Sequence, residues 1–180
     1  MWGDTLGGRI LVAAWGVPPG LGSHAHWDRR LDARIGAHFL SIPSVKGVEI
    51  GAASKVSRSF GSAAHDPIAY EPGRGFIRPS NLAGGLEGGI SNGEPINVTA
   101  LLKPLSTLMN PLPSVNLATK TPGAAHKERS DVCALAPAAV IGEALLALCL
   151  ADALLEKFGG DSLNELLRNL AAYRAQIEAY

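Results

Sequence analysis

Residues 84–102 read GGLEGGISNGEPINVTALL, a glycine-dense segment that runs into a strand pattern. In its second half, apolar side chains recur at every second position, namely at Ile96, Val98, Ala100 and Leu102. This period is typical of a half-buried strand. The turn-forming residues 91–94 precede the strand, and they predict a tight connection to another strand just upstream.

Two further strands and a helix are predicted upstream of this segment. Residues 8–17 are rich in Ile, Leu, Val and Ala and end at a Pro-Pro-Gly sequence, so we expect a strand there. Residues 45–50 alternate and predict a short second strand. Between them, apolar residues recur every four positions as in an amphipathic helix, at Trp27, Leu31, Ile35 and Phe39. Residues 51–80 show no regular period.

The C-terminal third of the chain predicts a long connection followed by two helices. Residues 103–129 have no helical period, and loops of this length are often functional. Residues 136–158 predict a helix that is apolar on nearly every side, which we expect inside the fold or at a subunit interface. Ser162 and Glu165 have capping-box spacing and predict a last helix. Strands followed by helices indicate an α+β fold, in which helices cover an antiparallel sheet.

Composition excludes several classes of protein. The 180 residues include 16 Lys and Arg against 16 Asp and Glu, so the chain lacks the basic surplus of a nucleic-acid or anionic-membrane binder. Two cysteines, Cys133 and Cys149, cannot form a disulfide framework, and no secretory leader is recognisable. We therefore expect a cytoplasmic protein. We expect no membrane span, because the most apolar stretch is interrupted by Pro137, Gly142, Glu143 and Asp152.

General ligand-binding motifs fit poorly. Gly88 and Gly93 have the spacing of a phosphate-binding loop, but Glu94 and a proline stand where Lys and Ser or Thr are required. His24 and His26 lack further metal ligands nearby in the sequence, so no metal site is predicted.

Three segments remain candidates for a binding site: the glycine-rich hairpin, residues 103–107 (KPLST) and residues 128–133 (ERSDVC). Each also has an ordinary structural interpretation. The first is then a turn, the second a solvated strand end, and the third an ion pair between Arg129 and Asp131.

Seven blocks, taken in order, resemble the C-terminal half of chorismate synthase. They are GDTLGG (3–8), GVPPGLGSHAHWDRRLDARI (16–35), SVKGVEIG (44–51), GRGFIRPSNLAGGLEGGISNGEP (73–95), KPLST (103–107), ERSDVCALAPAAV (128–140) and LLEKFGGDSLNELLRN (154–169). The resemblance covers nearly the whole chain. It implies that residues 1–180 form a single partial domain, one half of the family's β-α-β sandwich, without the N-terminal half.

The resemblance also implies a lyase of the shikimate pathway, which serves aromatic amino acid biosynthesis. This enzyme converts 5-enolpyruvylshikimate 3-phosphate to chorismate by a 1,4-elimination of phosphate. The reaction requires reduced FMN, supplied by an external NAD(P)H-dependent system, although it has no net redox change. The family assembles as a homotetramer, and nucleic acid and membranes are not expected partners.

By the resemblance, the flavin contacts are Pro43, Ser44, Gly88, Lys103, Pro104, Leu105, Ser106, Thr107 and Arg129. Glycine permits close approach of a ligand to the backbone, and cationic and hydroxyl donors suit an anionic flavin and its phosphate. Asp131 is the implied catalytic base, which would help a proton leave the flavin. Ser130 and Val132 stand where many members have histidine and proline.

The family's two catalytic histidines and most of its phosphate-binding arginines belong to the N-terminal half, and no histidine of this chain lies in those motifs. We therefore expect no appreciable activity from this chain alone. An exposed strand edge and apolar surface should favour poor solubility or self-association. The alternatives are a non-catalytic module that retains the fold, the flavin contacts or the oligomer surface, and, more remotely, an unrelated nucleotide-binding protein.

Overall fold

The structure is a computed structural model that describes residues 3–128 and 131–180. Its strands are β1 (Gly8–Ala14), β2 (Val45–Ile50), β3 (Ala69–Glu71), β4 (Gly75–Ile77), β5 (Leu86–Glu87), β6 (Ile90–Ser91), β7 (Ile96–Leu102), β8 (Pro113–Val115) and β9 (Pro122–Ala124). Its α-helices are α1 (Leu31–Leu40), α2 (Ala53–Val56), α3 (Leu135–Phe158) and α4 (Leu163–Glu178).

The predicted α+β fold with an antiparallel sheet is confirmed. The main sheet has the strand order β1-β7-β2, with both pairings antiparallel. Val98 at its centre pairs with Val12 on one side and with Ile50 on the other. Helix α3 packs on β1 and helix α1 packs on β2, and the inward side chains of the central strand β7 are buried. Strand β1 forms an open edge of the sheet.

Helix α3 packs closely against both α1 and β1 at Gly142. A methyl group at this glycine would lie 3.2 Å from the Phe39 ring and 3.2 Å from a methyl of Val12, so a larger residue would push the layers apart. The predicted stripe of α1 is correct for Leu31, Ile35 and Phe39, which are fully buried. Trp27 does not belong to it: this side chain is 81% exposed, in a separate 3₁₀ turn before the helix begins.

The glycine-dense segment folds differently from the prediction. The tight turn is at Gly88 and Gly89, not at residues 91–94, and it joins β5 to β6. Both glycines have positive φ, 61° and 91°, as a two-residue hairpin turn requires. Ser91 instead anchors the hairpin: its buried hydroxyl accepts a hydrogen bond from Leu21 N–H (2.8 Å) and donates one to the Pro18 carbonyl (2.7 Å).

Helix α3 is buried on one side only, so it is not enclosed within the fold of this chain, and its place at a subunit interface stays a prediction. Its inward side includes Leu146 and Cys149, and its opposite side exposes Val140, Ile141, Leu148 and Leu155. The four residues that interrupt its apolar sequence do not break the helix, which runs for 24 residues as a single element. By length and composition alone it could cross a membrane, and 28% of its most apolar window is buried here. Core helices of soluble proteins meet the same criterion.

Two hairpins lie in segments without a predicted period: β3 with β4, and β8 with β9. The capping box of α4 is confirmed, because Ser162 Oγ accepts from Glu165 N–H and Glu165 Oε2 accepts from Ser162 N–H. The leucines of this helix do not all face the core. Leu163 and Leu167 are exposed, and the side chains that pack on the core are Leu166, Leu170 and Tyr173.

Candidate functional site

Ser44 and Lys103 lie side by side at the end of the main sheet where β2 begins and β7 ends. The amide of Lys103 donates a hydrogen bond to the carbonyl oxygen of Ser44 (2.9 Å), and Val45 pairs with Leu102 in the adjoining register. Two of the predicted flavin-contacting segments, far apart in sequence, are therefore joined by the sheet.

Ser44 has a φ of +73°, in the left-handed region that is unusual for a residue other than glycine. Backbone conformations of this kind cost about 1–3 kcal/mol and concentrate at functional sites. The preceding Pro43 is exposed, and Ser44 itself is half-buried. The local conformation of Ser44 therefore distinguishes this end of the sheet from an ordinary strand end.

The N-terminal segment brings the third predicted region to the same end of the sheet. Thr5 Oγ1 donates to the carbonyl of Leu105 (2.6 Å), and the amide of Leu6 donates to the carbonyl of Val132 (2.8 Å). Residues 103–107 and Asp131 are thus held on either side of one short segment. Asp131 is exposed, and Arg129 lies outside the described residues.

The donors at this end of the sheet are accessible. Lys103, Pro104 and Ser106 are exposed, whereas Leu105 and Thr107 are half-buried. The Lys103 ammonium makes a long contact with the carbonyl of Pro104 (3.4 Å). An exposed cation beside a Ser and a Thr is a donor set that suits a phosphate or another anion.

Gly88 lies at the opposite end of the main sheet. The amide of Leu31, at the start of α1, donates to the carbonyl of Gly89 (2.8 Å), and Asn97, at the start of β7, donates to Gly84 (3.2 Å). A strand of seven residues spans roughly 20 Å. The structure therefore brings Ser44, Lys103 and Asp131 into one region but does not bring Gly88 to it.

Arg30 accompanies the Gly88 turn and was missed by the sequence reasoning. Its guanidinium is held by Asp32 through Nε (3.0 Å) and Nη2 (2.5 Å), and its Nη1 donates to the carbonyl of Gly88 (3.4 Å). The hydrogen bond and negative charge of Asp32 raise the pKa of Arg30 further above neutrality. In the sequence, an Arg two positions before an Asp at the start of the predicted helix is the pattern that indicates this ion pair.

His24, His26 and Cys149 are further candidates for metal binding or nucleophilic chemistry. His24 and His26 are exposed, and residues 3–128 and 131–180 contain no group of three or more His, Cys, Asp or Glu arranged to hold a metal ion. Cys149 is a buried thiol, as predicted. Burial raises its pKa, Asp152 adds to the increase and Arg34 opposes it, so this thiol is poorly suited to act as a nucleophile.

Comparison with known proteins identifies the family. The family model described as chorismate synthase matches residues 1–155. The chain belongs to the chorismate synthase family. This confirms the resemblance and places the chain in a family of lyases that serve aromatic amino acid biosynthesis.

Curated chorismate synthases are similar along almost the whole chain. The chorismate synthase of Moorella thermoacetica is 57% identical over 176 residues, which cover 98% of this chain and 46% of the relative. That of Geobacter sulfurreducens is 52% identical over 185 residues, covering 99% and 47%. A crystal structure of chorismate synthase matches with a TM-score of 0.81 and 42% identity, covering 99% of this chain and 46% of that one. The chain thus spans about half the length of the relatives it matches.

Proposed function

We propose that this chain is the flavin-contacting C-terminal portion of a chorismate synthase. Its reaction would be the 1,4-elimination of phosphate from 5-enolpyruvylshikimate 3-phosphate, which yields chorismate. The observation that carries the proposal is the convergence of Ser44, residues 103–107 and Asp131 at one end of the sheet. The family resemblance implies flavin contact or proton transfer for each of these three segments.

The residues at this end fit reduced FMN. Lys103 offers an exposed cation, and Ser106 offers an exposed hydroxyl, for the phosphate or the anionic ring. When bound, reduced FMN supplies electron density that assists departure of the phosphate without net oxidation. Reduction of FMN by an external NAD(P)H-dependent system is part of the same proposal.

Asp131 is proposed as the catalytic base. Its carboxylate is exposed at the same end of the main sheet as Lys103, so it is accessible to a bound ligand. General-base catalysis requires a carboxylate within hydrogen-bonding reach of the proton that it accepts. In this role Asp131 takes a proton after the elimination and releases it to solvent, while Lys103 holds the ligand.

We also propose that activity requires the N-terminal half of the family. Departure of phosphate from a bound anion needs several cationic clamps and a proton donor, and Lys103 by itself is a small part of such a set. The structure offers surface for another polypeptide. A groove of about 300 Å³ runs between the open edge of β1 and α3, and Leu11, Trp15 and Val140 line it with mostly exposed side chains.

The separation of Gly88 from Ser44 and Lys103 supports an oligomeric enzyme. A flavin held at one end of the sheet lies roughly 20 Å from the turn at the other end. We propose that the Gly88 turn faces a flavin bound to another copy, within the homotetramer that the family implies. A cytoplasmic location completes the proposal.

The test is anaerobic formation of chorismate from 5-enolpyruvylshikimate 3-phosphate with reduced FMN. The chain is assayed alone and mixed with a separately produced N-terminal half of the Moorella thermoacetica relative. Activity only in the mixture is the expected result. Activity of the chain alone would contradict the requirement for the other half. Inactivity of both samples, with folded proteins, would favour a non-catalytic module.

A further inference from the structure

Asp66 is a buried carboxylate outside the group of predicted flavin contacts. It is 9% exposed and accepts three hydrogen bonds. The hydroxyl of Ser80 (2.6 Å) and the amide of Leu82 (2.8 Å) donate to Oδ1, and the amide of Ala83 (2.8 Å) donates to Oδ2. Both carboxylate oxygens are therefore used, and the segment that they hold runs directly into the glycine hairpin.

Residues 82–84 pack tightly against the main sheet. A methyl group at Gly84 would lie 2.2 Å from the amide nitrogen of Gly51, so the two backbones are in direct contact. The carbonyl of Leu82 also accepts a hydrogen bond from the amide of Ala52 (2.8 Å). A displacement of residues 82–84 would therefore be transmitted to β5, which begins two residues further on.

A second connection runs from Asp66 to the turn through Arg78. Arg78 Nη1 donates to the backbone carbonyl of Asp66 (3.2 Å), and Nη2 pairs with Glu87 Oε2 (2.6 Å). Glu87 immediately precedes Gly88, and its Oε2 also accepts a hydrogen bond from Asn92 on the far side of the hairpin (2.9 Å). Asp66 is thus linked to the hairpin in two ways. Its carboxylate holds residues 82 and 83, which lead into β5, and its carbonyl binds Arg78, which pairs with Glu87.

We propose that Asp66 is a positioning residue that sets the place of the Gly88 turn for ligand binding, with Arg78 as its link to Glu87. The ligand is the flavin of the proposed function, and this part of the inference rests on it. Asp66 does not touch the ligand in this role. It holds the backbone so that the exposed turn, which has nothing within 4 Å of the Gly88 Cβ position, presents an open surface.

The hydrogen bonds at Asp66 require a carboxylate, because an amide side chain would not offer two acceptor oxygens. In Asp66→Asn, one of the two oxygens becomes an NH₂ group, which would face the Ala83 N–H or the Leu82 N–H. Two donors then oppose each other, and a half-buried backbone amide loses its acceptor. A carboxylate that merely filled space would tolerate this replacement.

The first test needs no flavin. Amide hydrogen exchange is compared between the chain and Asp66→Asn, with the exposed Asp161→Asn as control. We expect exchange in residues 80–93 to become at least tenfold faster in Asp66→Asn, with β1, β7 and α3 unchanged. Uniform acceleration, or none, would overturn the positioning role. If Asp66→Asn does not fold, Ser80→Ala removes a single donor and should loosen the same residues to a smaller extent.

Variants of Arg78 test whether its contact with Glu87 holds the turn, or whether the turn depends only on the overall stability of the fold. Arg78→Met should loosen residues 86–92, and Arg78→Lys should restore part of the protection because the cation facing Glu87 is retained. The dissociation constant of reduced FMN in the mixture with the N-terminal half should rise in Asp66→Asn and Arg78→Met. A loosened turn with unchanged flavin affinity would overturn the ligand part of the inference. Absence of flavin binding by the unmodified mixture would instead contradict the proposed function.

Discussion

The backbone amide of Lys103 donates to the carbonyl oxygen of Ser44 over 2.9 Å, at the point where two antiparallel strands of the main sheet end and begin. This bond closes the pairing of β2 with β7 and leaves the Lys103 side chain pointing away into exposed surface. A cation is therefore held on rigid backbone, beside a serine in a left-handed conformation, and this arrangement leads to the first prediction.

Lys103→Ala should weaken binding of reduced FMN to the complemented enzyme by roughly 10- to 100-fold, because a charge-assisted hydrogen bond to an anion is lost. Lys55→Ala, an exposed lysine on α2, is the matched control and should change nothing. Fluorescence or absorbance titration under anaerobic conditions measures the dissociation constant of reduced FMN for both variants. Equal affinities of the two variants would contradict the role of Lys103.

Asp131→Asn should lower kcat of the complemented enzyme by roughly 100-fold or more, because general-base catalysis contributes factors of that size. The affinity for reduced FMN should stay within about twofold, since the carboxylate moves a proton and does not hold the cofactor. Stopped-flow measurement of chorismate formation gives the rate. Asp161→Asn is the control, and a comparable loss in that variant would show that the effect is not specific to Asp131.

Leu146→Ala should destabilise the folded chain by about 2–5 kcal/mol, because this side chain is 2% exposed and its removal leaves a cavity between α3 and the sheet. Leu148→Ala, two residues along the same helix and 64% exposed, should change the free energy of unfolding by less than about 0.5 kcal/mol. Urea unfolding followed by circular dichroism tests the pair. Similar losses at both positions would mean that the outer side of α3 is also covered in the isolated chain.

The double variant Val140→Glu and Leu148→Glu should reduce self-association of the chain and prevent complementation by the N-terminal half. Both side chains lie on the exposed apolar side of α3, and burying two carboxylates in an apolar interface is strongly unfavourable. Leu163→Glu, at an exposed position on α4, is the control for added charge. Light scattering and the chorismate assay give the readouts, and undiminished complementation would exclude this side of α3 as the contact surface.

We expect the free energy of unfolding to depend on pH through the carboxylate of Asp66. Burial opposes its ionisation, but hydrogen bonds from Ala83, Ser80 and Leu82, with the charge of Arg78, outweigh burial and hold its pKa below the usual 3.8. Because the folded-state pKa is lowered, the stabilisation is complete above the unfolded-state pKa and is lost as the pH falls through the folded-state value.

The chain should therefore be more stable than Asp66→Asn by about 1–3 kcal/mol at neutral pH, because a backbone donor loses its acceptor in the variant. This advantage should shrink as the pH falls below about 4. Urea unfolding of both proteins between pH 7 and pH 3 measures it. A difference that stays constant over this range would show that the charge of Asp66 is not involved.

The sequence reasoning succeeded where the relevant interactions are local. The stripe of Leu31, Ile35 and Phe39 repeats over one helix, and the capping box of Ser162 and Glu165 closes within four residues. It failed at the hairpin, because residues 91–94 and the Gly88–Gly89 pair are both plausible turns. The choice between them depends on Ser91, whose hydroxyl is buried against Leu21 and Pro18, far away in the chain.

The sequence by itself determined the family, the α+β class, the capping box of α4 and the identity of the candidate residues, because motif blocks and periodic patterns are properties of neighbouring residues. Only the tertiary structure decided which candidates meet. The antiparallel register of β2 and β7 brings Ser44 to Lys103, Thr5 and Leu6 connect residues 103–107 to Asp131, and the length of β7 keeps Gly88 at the other end. These relationships depend on pairing between distant segments, which local patterns do not specify.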